Sequence, residues 1–366
     1  MKVDVYESGP KPLAKVAITG GGRCNLTNSF EGIRSLGEAY PRGERLMKRL
    51  LRVFSQEDTW RWFEDAGVPL VLQDDHCVFP RSQDAMDIVH ALLRRMEGVN
   101  LLLRTPVHSI GPDLTVDGEA YDAVVVTTGG APKGLPLLEG LDLEWVPTAP
   151  SLFTFTIQDE GLRALMGLVV EATVSIPGTT FKADGPLLIT DWGLSGPAVL
   201  KLSSYAARHL HDAGYKAPLS VNWLSLSEAE TRALLEELST ANPRKQVSNT
   251  PPAGLQARLW NHLTVKAGLR LDIRWAELGS KGLNKLVNTL AQDSYTIAGK
   301  TKFRDEFVTC GGVALSNLNP ATLESKQYPG LYFAGEVLDI DAITGGFNLQ
   351  AAWTTGYVAA QSIASK

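Results

Sequence analysis

Gly20-Gly21-Gly22 runs directly into Arg23, Cys24 and Asn25, and this stretch has the residue types to hold a ligand. Residues without a Cβ let the main chain approach a flat or anionic molecule. Arg23 adds a fork of donors, and Asn25, Thr27 and Asn28 add side-chain hydrogen bonds. A tight turn using glycine for its geometry reads the same way. Cys24 is either a small buried residue or, with Arg23 and nearby N–H groups lowering its pKa, a proton relay. Glu7 ends a short apolar run, where an acid can accept hydrogen bonds from ribose hydroxyls. Ala123–Thr128 leads into Gly129-Gly130, and Leu331–Ala334 into Gly335-Glu336. Both put glycine at the carboxyl end of an apolar strand, the edge at which open α/β sheets bind ligands. Gly345, Gly346, Phe347 and Asn348 open the last helix, whose first N–H groups suit a phosphate or a ring carbonyl.

Other groupings point to less. Ser195 reads as an N-cap with Pro197 at the helix start, an ordinary beginning for a helix, and Asp191 before it is a turn residue or a polar contact. His209 and His211 are two apart on a predicted helix and do not share a face, and Cys24, Cys77 and Cys310 are widely spaced, so no metal site is expected. Arg42, Arg45, Lys48, Arg49 and Arg52 form either a solvated helix face or a surface for a phosphate-bearing substrate.

The elements that position these residues follow from pattern. Val3–Tyr6 reads as a strand, Val16–Thr19 as an apolar run leading into the glycine triplet, 43–66 as one or two helices, and Val68–Leu72 with Cys77–Phe79 as a hairpin. Ser82 is the expected N-cap of a helix reaching Met96, and Asp117-Gly118 a tight turn. Ala123–Thr128 reads as a strand buried on both faces. Beyond Pro147 shorter alternating segments suggest an antiparallel insert, then a more helical stretch from Ser227 to about Leu290. Strands return after Phe307, and a helix with a small-residue stripe at Gly356, Ala359 and Ala360 closes the chain.

With 366 residues, 44% of them hydrophobic, the chain can build two or three packed units. Its formal charge of −5 argues against a dedicated duplex-binding protein while leaving room for a local basic patch. No apolar run reaches the roughly 18 residues that span a bilayer, no secretory leader is evident, and the odd cysteine count fits a reducing cytoplasm.

Together the stretches Ile18–Asn28, Val78–Pro80, Gly193–Ala198, Pro329–Glu336 and Gly345–Gln350 resemble the BaiN/YhiN-like flavoproteins, also called the aminoacetone oxidase family of NAD(P)/FAD-dependent oxidoreductases. The resemblance covers nearly the whole chain. It implies an α/β fold: a Rossmann-like FAD-binding domain in two parts, 1–147 and 307–366, interrupted at 148–306 by a β-barrel and helical insert. Carried over by position, Glu7 would hold the adenosine ribose and Val107 would face the adenine through its backbone. Gly20, Gly21, Gly22, Arg23 and Asn25 would border the flavin, and Cys24, from its neighbours as argued above, is the candidate catalytic proton relay. Thr128, Gly129, Gly130, Gly335, Glu336, Gly345, Gly346, Phe347 and Asn348 would line the cofactor cleft. FAD is the implied cofactor and NAD(P)H the implied reductant.

The family pattern begins with a strand, a G-x-G-x-x-G turn and a helix before the ribose-binding acid, whereas six residues precede Glu7 here. An N-terminally shortened family member is therefore expected. Asp191 stands where relatives often have histidine, Leu13-Ala14 replaces Gly-Arg before Lys15, and Ala342 occupies a common glycine position. Three functions follow as alternatives. One is hydride transfer between reduced flavin and an unsaturated or amine-bearing small molecule. Another is flavin-dependent reduction of uridine in ribosomal RNA. The last is a remnant that binds no FAD and does not catalyse. No membrane partner is expected under any of them, and oligomeric state is left open.

Overall fold

The structure is a computed structural model that describes residues 2–130, 135–300 and 308–366. The chain divides into two compact units, Met1–Pro150 with Val308–Lys366, and Ser151–Phe307. The expected boundaries were 147/148 and 306/307.

In the first unit, β1 (Asp4–Glu7) leads through a proline-rich turn to α1 (Ala14–Gly22). The apolar run Val16–Thr19 lies in this element, with the Ala17 N–H donating to the Leu13 carbonyl at 3.1 Å. Leu13, Val16 and Ala17 face inward while Ala14, Lys15 and Ile18 are exposed, a helical period that so short a run cannot distinguish from a strand in sequence. Thr19 breaks the helix with φ −62°, ψ 148°, and the glycine triplet follows. Next come β2 (Thr27–Asn28), α2 (Leu36–Ala39), α3 (Glu44–Leu50) and α4 (Gln56–Asp65). Helix α4 opens on a capping box in which the Ser55 side chain accepts from the Asp58 N–H and Asp58 accepts from the Ser55 N–H. The expected hairpin forms from β3 (Leu70–Leu72) and β4 (Cys77–Pro80), and β2 joins it with Thr27 opposite Val78. Helix α5 (Ala85–Arg95) follows, capped by Asp84 rather than Ser82. The Asp84 carboxylate accepts from the Met86 N–H at 2.8 Å, and Ser82 Oγ instead accepts from the Asp84 N–H at 3.3 Å.

Strand β5 (Asn100–Leu103) runs parallel to β1, Glu7 opposite Leu103. A small hairpin, β6 (Thr115–Val116) and β7 (Glu119–Ala120), turns at Asp117 and Gly118, both at positive φ. Strands β8 (Val124–Val126) and β9 (Trp145–Ser151) complete this portion.

The second unit holds a closed antiparallel barrel. It begins with β10 (Phe155–Ile157) and α6 (Glu160–Arg163), followed by β11 (Val169–Ser175), β12 (Lys182–Ile189) and β13 (Gly193–Ser195). Helix α7 (Pro197–Tyr205) starts at Pro197 with Gly196 as N-cap, so Ser195 is a strand residue and not the cap expected from sequence. Helix α8 (Ala207–Asp212), β14 (Ala217–Asn222), α9 (Glu228–Ala241), α10 (Ala257–Lys266), α11 (Trp275–Ala291) and β15 (Asp293–Lys300) complete the unit. The barrel order β10-β13-β12-β11-β14-β15 closes on itself, which removes the free edges an open sheet would expose. Ala217, Leu219 and Val221 alternate into its interior, as a period of two requires. Buried Trp223, Trp260 and Trp275 anchor the helices, each indole N–H satisfied: by Asp293 at 2.9 Å, the Val247 carbonyl at 2.7 Å and Thr250 Oγ1 at 2.5 Å. His211 lies beside Asp212 and His209 against the Phe181 ring, and among the described residues no group of three potential ligands could hold a metal ion.

The chain then returns to the first unit with β16 (Val308–Val313), which pairs β9, and β17 (Leu331–Phe333), which runs parallel to β8. Helix α12 (Phe347–Ala364) packs its buried Ala359 against Tyr332 and Ala334, while Ala360 of the expected small-residue stripe faces solvent. The expectation that Ala123–Thr128 is buried on both faces is also corrected, because Val125 is 39% exposed. Among the described residues, β1–β5 and β17–β8 are two separate parallel pairs with no strand hydrogen-bonded between them. None of the described helices is long and apolar enough to cross a membrane.

Candidate functional site

All the expected cofactor residues lie in the first unit, in three groups. The first joins Asn25–Asn28 to Gly345–Gln350, segments more than 300 residues apart in sequence. Strand pairing fixes one side, with the Leu26 N–H donating to the Val78 carbonyl at 2.8 Å. Across the joint, Thr27 Oγ1 donates to Gln350 Oε1 at 2.5 Å, Asn28 Nδ2 to the Gly345 carbonyl at 3.0 Å and Trp353 Nε1 to the Leu26 carbonyl at 3.0 Å. Gly346 is the N-cap of α12 with φ 91°, and a Cβ there would overlap the Thr27 carbonyl oxygen and stand 2.7 Å from Asn25 Oδ1. That Asn25 oxygen is buried and has no hydrogen-bond partner. It lies beside a helix start whose first N–H groups have no partner within the helix. Phe347 is buried and meets the Phe30 ring edge-on at 5.0 Å, and its carbonyl accepts from Tyr40 OH at 2.9 Å. Asn348 turns its amide to its own loop, accepting from the Ala342 N–H at 2.9 Å and donating to the Ala342 carbonyl at 3.0 Å.

Preceding this joint, Gly20, Gly21 and Gly22 all have positive φ, and a Cβ on Gly21 or Gly22 would meet nothing within 4 Å. Arg23 is exposed, with its guanidinium 4.6 Å over the Phe79 ring and its Nη1 donating to Gln83 Oε1 at 3.4 Å. Of the two sequence readings of Cys24, the structure gives the small buried residue. Its side chain is fully buried with Leu26, Phe63 and Val68, and burial pushes the thiol up to about 11. The expected lowering by Arg23 is therefore reversed: Arg23 points to solvent while Cys24 points into the core.

The second group gathers at the carboxyl ends of β8 and β17. Glu336 accepts from the Thr309 N–H at 2.8 Å through Oε1 and pairs with Lys15 Nζ at 2.5 Å through Oε2. A Cβ on Gly130 would stand 2.8 Å from Glu336 Oε1, so Gly129-Gly130 and Gly335-Glu336 are packed together. The Gly335 N–H donates to Thr355 Oγ1 at 2.9 Å, and Thr128 is exposed just before the pair. Neither Lys15 nor Thr309 was expected at this site. A lysine on α1 joins the group only because α1 is a helix reaching that edge.

The third group stands at the carboxyl ends of β1 and β5. Glu7 Oε1 accepts from the Gly9 N–H at 2.6 Å, leaving Oε2 without a hydrogen bond among the described residues. The Glu7 carbonyl accepts from the Thr105 N–H at 2.9 Å, which brings the segment leading to half-buried Val107 alongside.

One buried ion pair, involving Asp341 in the segment before α12, was not legible in sequence. Arg42 donates through Nε and Nη2 to the two carboxylate oxygens of Asp341, which is fully buried. Burial opposes the Arg42 charge, but hydrogen bonds and the charge of Asp341 outweigh it and hold the guanidinium protonated. Arg42 thereby leaves the basic cluster to which the sequence had assigned it.

Comparison with known proteins finds relatives along nearly the whole chain. Residues 1–362 match the HI0933-like protein Rossmann domain. The chain is 30% identical to the ribosomal RNA dihydrouridine synthase of Escherichia coli (strain K12), over 99% of this chain and 92% of that protein. It is 27% identical to the 3-dehydro-bile acid delta(4,6)-reductase of Clostridium scindens, over 96% and 90% of the two chains. Identity to the ribosomal RNA dihydrouridine synthase of Haemophilus influenzae is also 27%, over 99% and 92%. With a match of this length, parallel strands whose carboxyl ends carry the glycine pairs, and a six-stranded barrel inserted between them, this chain belongs to the HI0933-like Rossmann domain family.

Proposed function

We propose that this protein is an FAD-dependent oxidoreductase that reduces the C5–C6 double bond of uridine in ribosomal RNA, with NAD(P)H as the ultimate reductant. The observation that carries the flavin part is the joint between Asn25–Asn28 and α12. The side-chain polar groups of Thr27, Asn28, Gln350, Trp353 and Asn348 are paired there, and the buried Asn25 Oδ1 is left over beside the first N–H groups of a long helix. A buried polar atom without a partner is costly, and a ligand donor removes the cost. In this respect the residues fit FAD. When bound and reduced by NAD(P)H, FAD would supply hydride to a double bond made electron-poor by a conjugated carbonyl, as the C4 carbonyl of uracil makes C5–C6, with a solvent proton completing the saturation.

This chain's own residues bind and orient. Asn25 and the first turn of α12 hold polar groups of the ring system, and Gly20–Gly22 lets main chain approach it. The free Glu7 oxygen accepts from the ribose, and the main chain at Val107 faces the adenine. Glu336 borders the cleft with its charge compensated by Lys15. Cys24 carries no proton in this reading, because a buried thiol raised to about 11 is a poor relay at neutral pH.

The RNA part is supported by the two synthase relatives, each aligned over 99% of this chain. The reductase relative supports a second reading in which the substrate is a conjugated 3-keto steroid. One experiment tests both. The purified protein is reconstituted with FAD, its visible spectrum recorded, and it is then incubated with NAD(P)H and either protein-free ribosomal RNA or a conjugated 3-keto steroid. Flavin absorbance and dihydrouridine in the digested RNA, detected by mass spectrometry, are expected. A colourless protein after FAD addition overturns the flavin assignment, and steroid reduction without dihydrouridine overturns the RNA assignment.

A further inference from the structure

We infer that the solvent face of α3, with Arg34 across the groove at its side, is the surface on which the RNA backbone docks. The inference rests on the RNA reading above. At about 100° per residue, Arg45, Lys48, Arg49 and Arg52 fall within one sector of the helical path, opposite buried Leu46, Met47 and Leu50. The turn continues far enough to include Arg52, since the Phe54 N–H donates to the Leu50 carbonyl at 3.0 Å. All four cations are exposed, and none makes an ion pair or side-chain hydrogen bond among the described residues. The neighbouring Arg42, by contrast, is consumed by Asp341. A concentration of uncompensated positive charge on a chain of net charge −5 is a local feature and not a reflection of composition.

A groove of about 350 Å³ lies beside this face, lined by Phe30, Ile33, Arg34, Leu36, Glu44 and Lys48. Arg34 and Lys48 outnumber the single carboxylate of Glu44 there. The groove has an aromatic wall in half-buried Phe30, which can stack on a base while the cations meet phosphates. Phe30 also ties the groove to the flavin joint: its N–H donates to Asn28 Oδ1 at 2.9 Å, and its ring meets Phe347 at 5.0 Å. A strand of RNA lying along α3 would thus be led towards the residues assigned to the flavin. Charge complementarity and an aromatic wall favour a polynucleotide over an anionic membrane, for which this face offers one exposed apolar side chain, Val53 at 45%.

The test is RNA binding by the FAD-reconstituted full chain to protein-free ribosomal RNA, from roughly 50 to 300 mM salt. The quadruple variant Arg45→Gln, Lys48→Gln, Arg49→Gln and Arg52→Gln is compared with wild type. A control makes the same charge change at exposed Arg244, Lys245, Lys281 and Lys285. Each phosphate contact contributes about 0.7 to 0.9 to the salt slope. The quadruple variant should therefore lose roughly three units of slope and a hundredfold or more in affinity at about 0.1 M salt. Adding Arg34→Gln should cost about fivefold more. Equal losses in the control, or unchanged binding in the variant, overturn the docking surface, as does wild-type binding to phosphatidylserine vesicles without binding to RNA. Dihydrouridine formation separates the two ideas. If wild type forms it and the variant forms it equally well, the surface is wrong and the chemistry stands. If RNA binds through α3 and no dihydrouridine appears, the surface stands and the chemistry is wrong.

Discussion

Replacing Gly346 with alanine should break the joint on which the flavin assignment depends. Two costs can be read from the structure. The residue has φ 91°, where an L side chain costs on the order of 1 to 2 kcal/mol. Its Cβ would also overlap the Thr27 carbonyl and crowd Asn25 Oδ1, and forcing atoms into a packed site costs typically about 1 to 3 kcal/mol. The sum is about 2 to 5 kcal/mol, a large share of the stability of an ordinary domain. Gly21→Ala is the matched comparison. It carries the same backbone cost at φ 68°, but its Cβ would meet nothing within 4 Å, so about 1 to 2 kcal/mol is expected. Urea denaturation gives the two stabilities, and titration with FAD followed by visible absorbance gives the affinities. Gly346→Ala should lose both. Gly21→Ala should lose only that backbone cost in stability but at least tenfold in FAD affinity, because its methyl group projects where the ligand would approach. If Gly346→Ala is as stable as wild type, the packing argument is wrong. If Gly21→Ala binds FAD as wild type does, the glycine triplet does not face the cofactor.

Three further outcomes follow from particular groups. Asp341→Asn removes the carboxylate charge that Arg42 meets through Nε and Nη2 and should cost about 3 kcal/mol in urea denaturation, while Arg42→Met with Asp341→Leu should recover most of it; equal losses would refute the pairing argument. His262 has a buried Nε2 without a partner, and burial first, aided by Lys266 against Asp159 and Asp293, lowers its folded pKa below the ordinary imidazole value. The unfolded chain then takes up the proton first, so stability is complete above about pH 6.5 and declines as pH falls towards the folded value. The melting temperature of His262→Gln should accordingly fall less than that of wild type between about pH 7.5 and 5.5, and parallel curves would contradict the sign. Cys24, with its thiol near 11, should have about a hundredfold less thiolate at pH 8 than an unperturbed thiol and react correspondingly slowly with iodoacetamide in the native protein. Cys24→Ala should keep the rate of flavin reoxidation and lose about 1 kcal/mol of stability; a large fall in rate at unchanged stability would restore the cysteine to the mechanism.

Local signals carried a good part of the fold. Alternation and turn chemistry revealed the hairpin at Leu70–Leu72 and Cys77–Pro80, the tight turn at Asp117-Gly118 and the antiparallel character of the insert. These depend on residues within a few positions of one another. Boundaries set by competing donors were less legible: Ser82 and Asp84 are both good caps, and only the backbone path decides that Asp84 reaches the Met86 N–H. The run Val16–Thr19 takes no element from pattern for a related reason, since so short a segment fits a helix or a strand until a neighbour claims one face.

For the candidate site, sequence by itself determined which residue types were available: glycines at strand ends, an acid at Glu7, amides at Asn25 and Asn28, and cations along α3. It could not determine which of them would meet. That Asn28 reaches the Gly345 carbonyl, that Lys15 neutralises Glu336, and that Arg42 is spent on Asp341 while its four neighbours remain free was decided by tertiary structure. The same is true of Cys24, whose neighbour Arg23 is one residue away in sequence and on the opposite side of the backbone in space. The physical reason is range. Propensity and periodicity act over a few residues, whereas burial and charge pairing depend on distances that exist only once the chain has closed on itself.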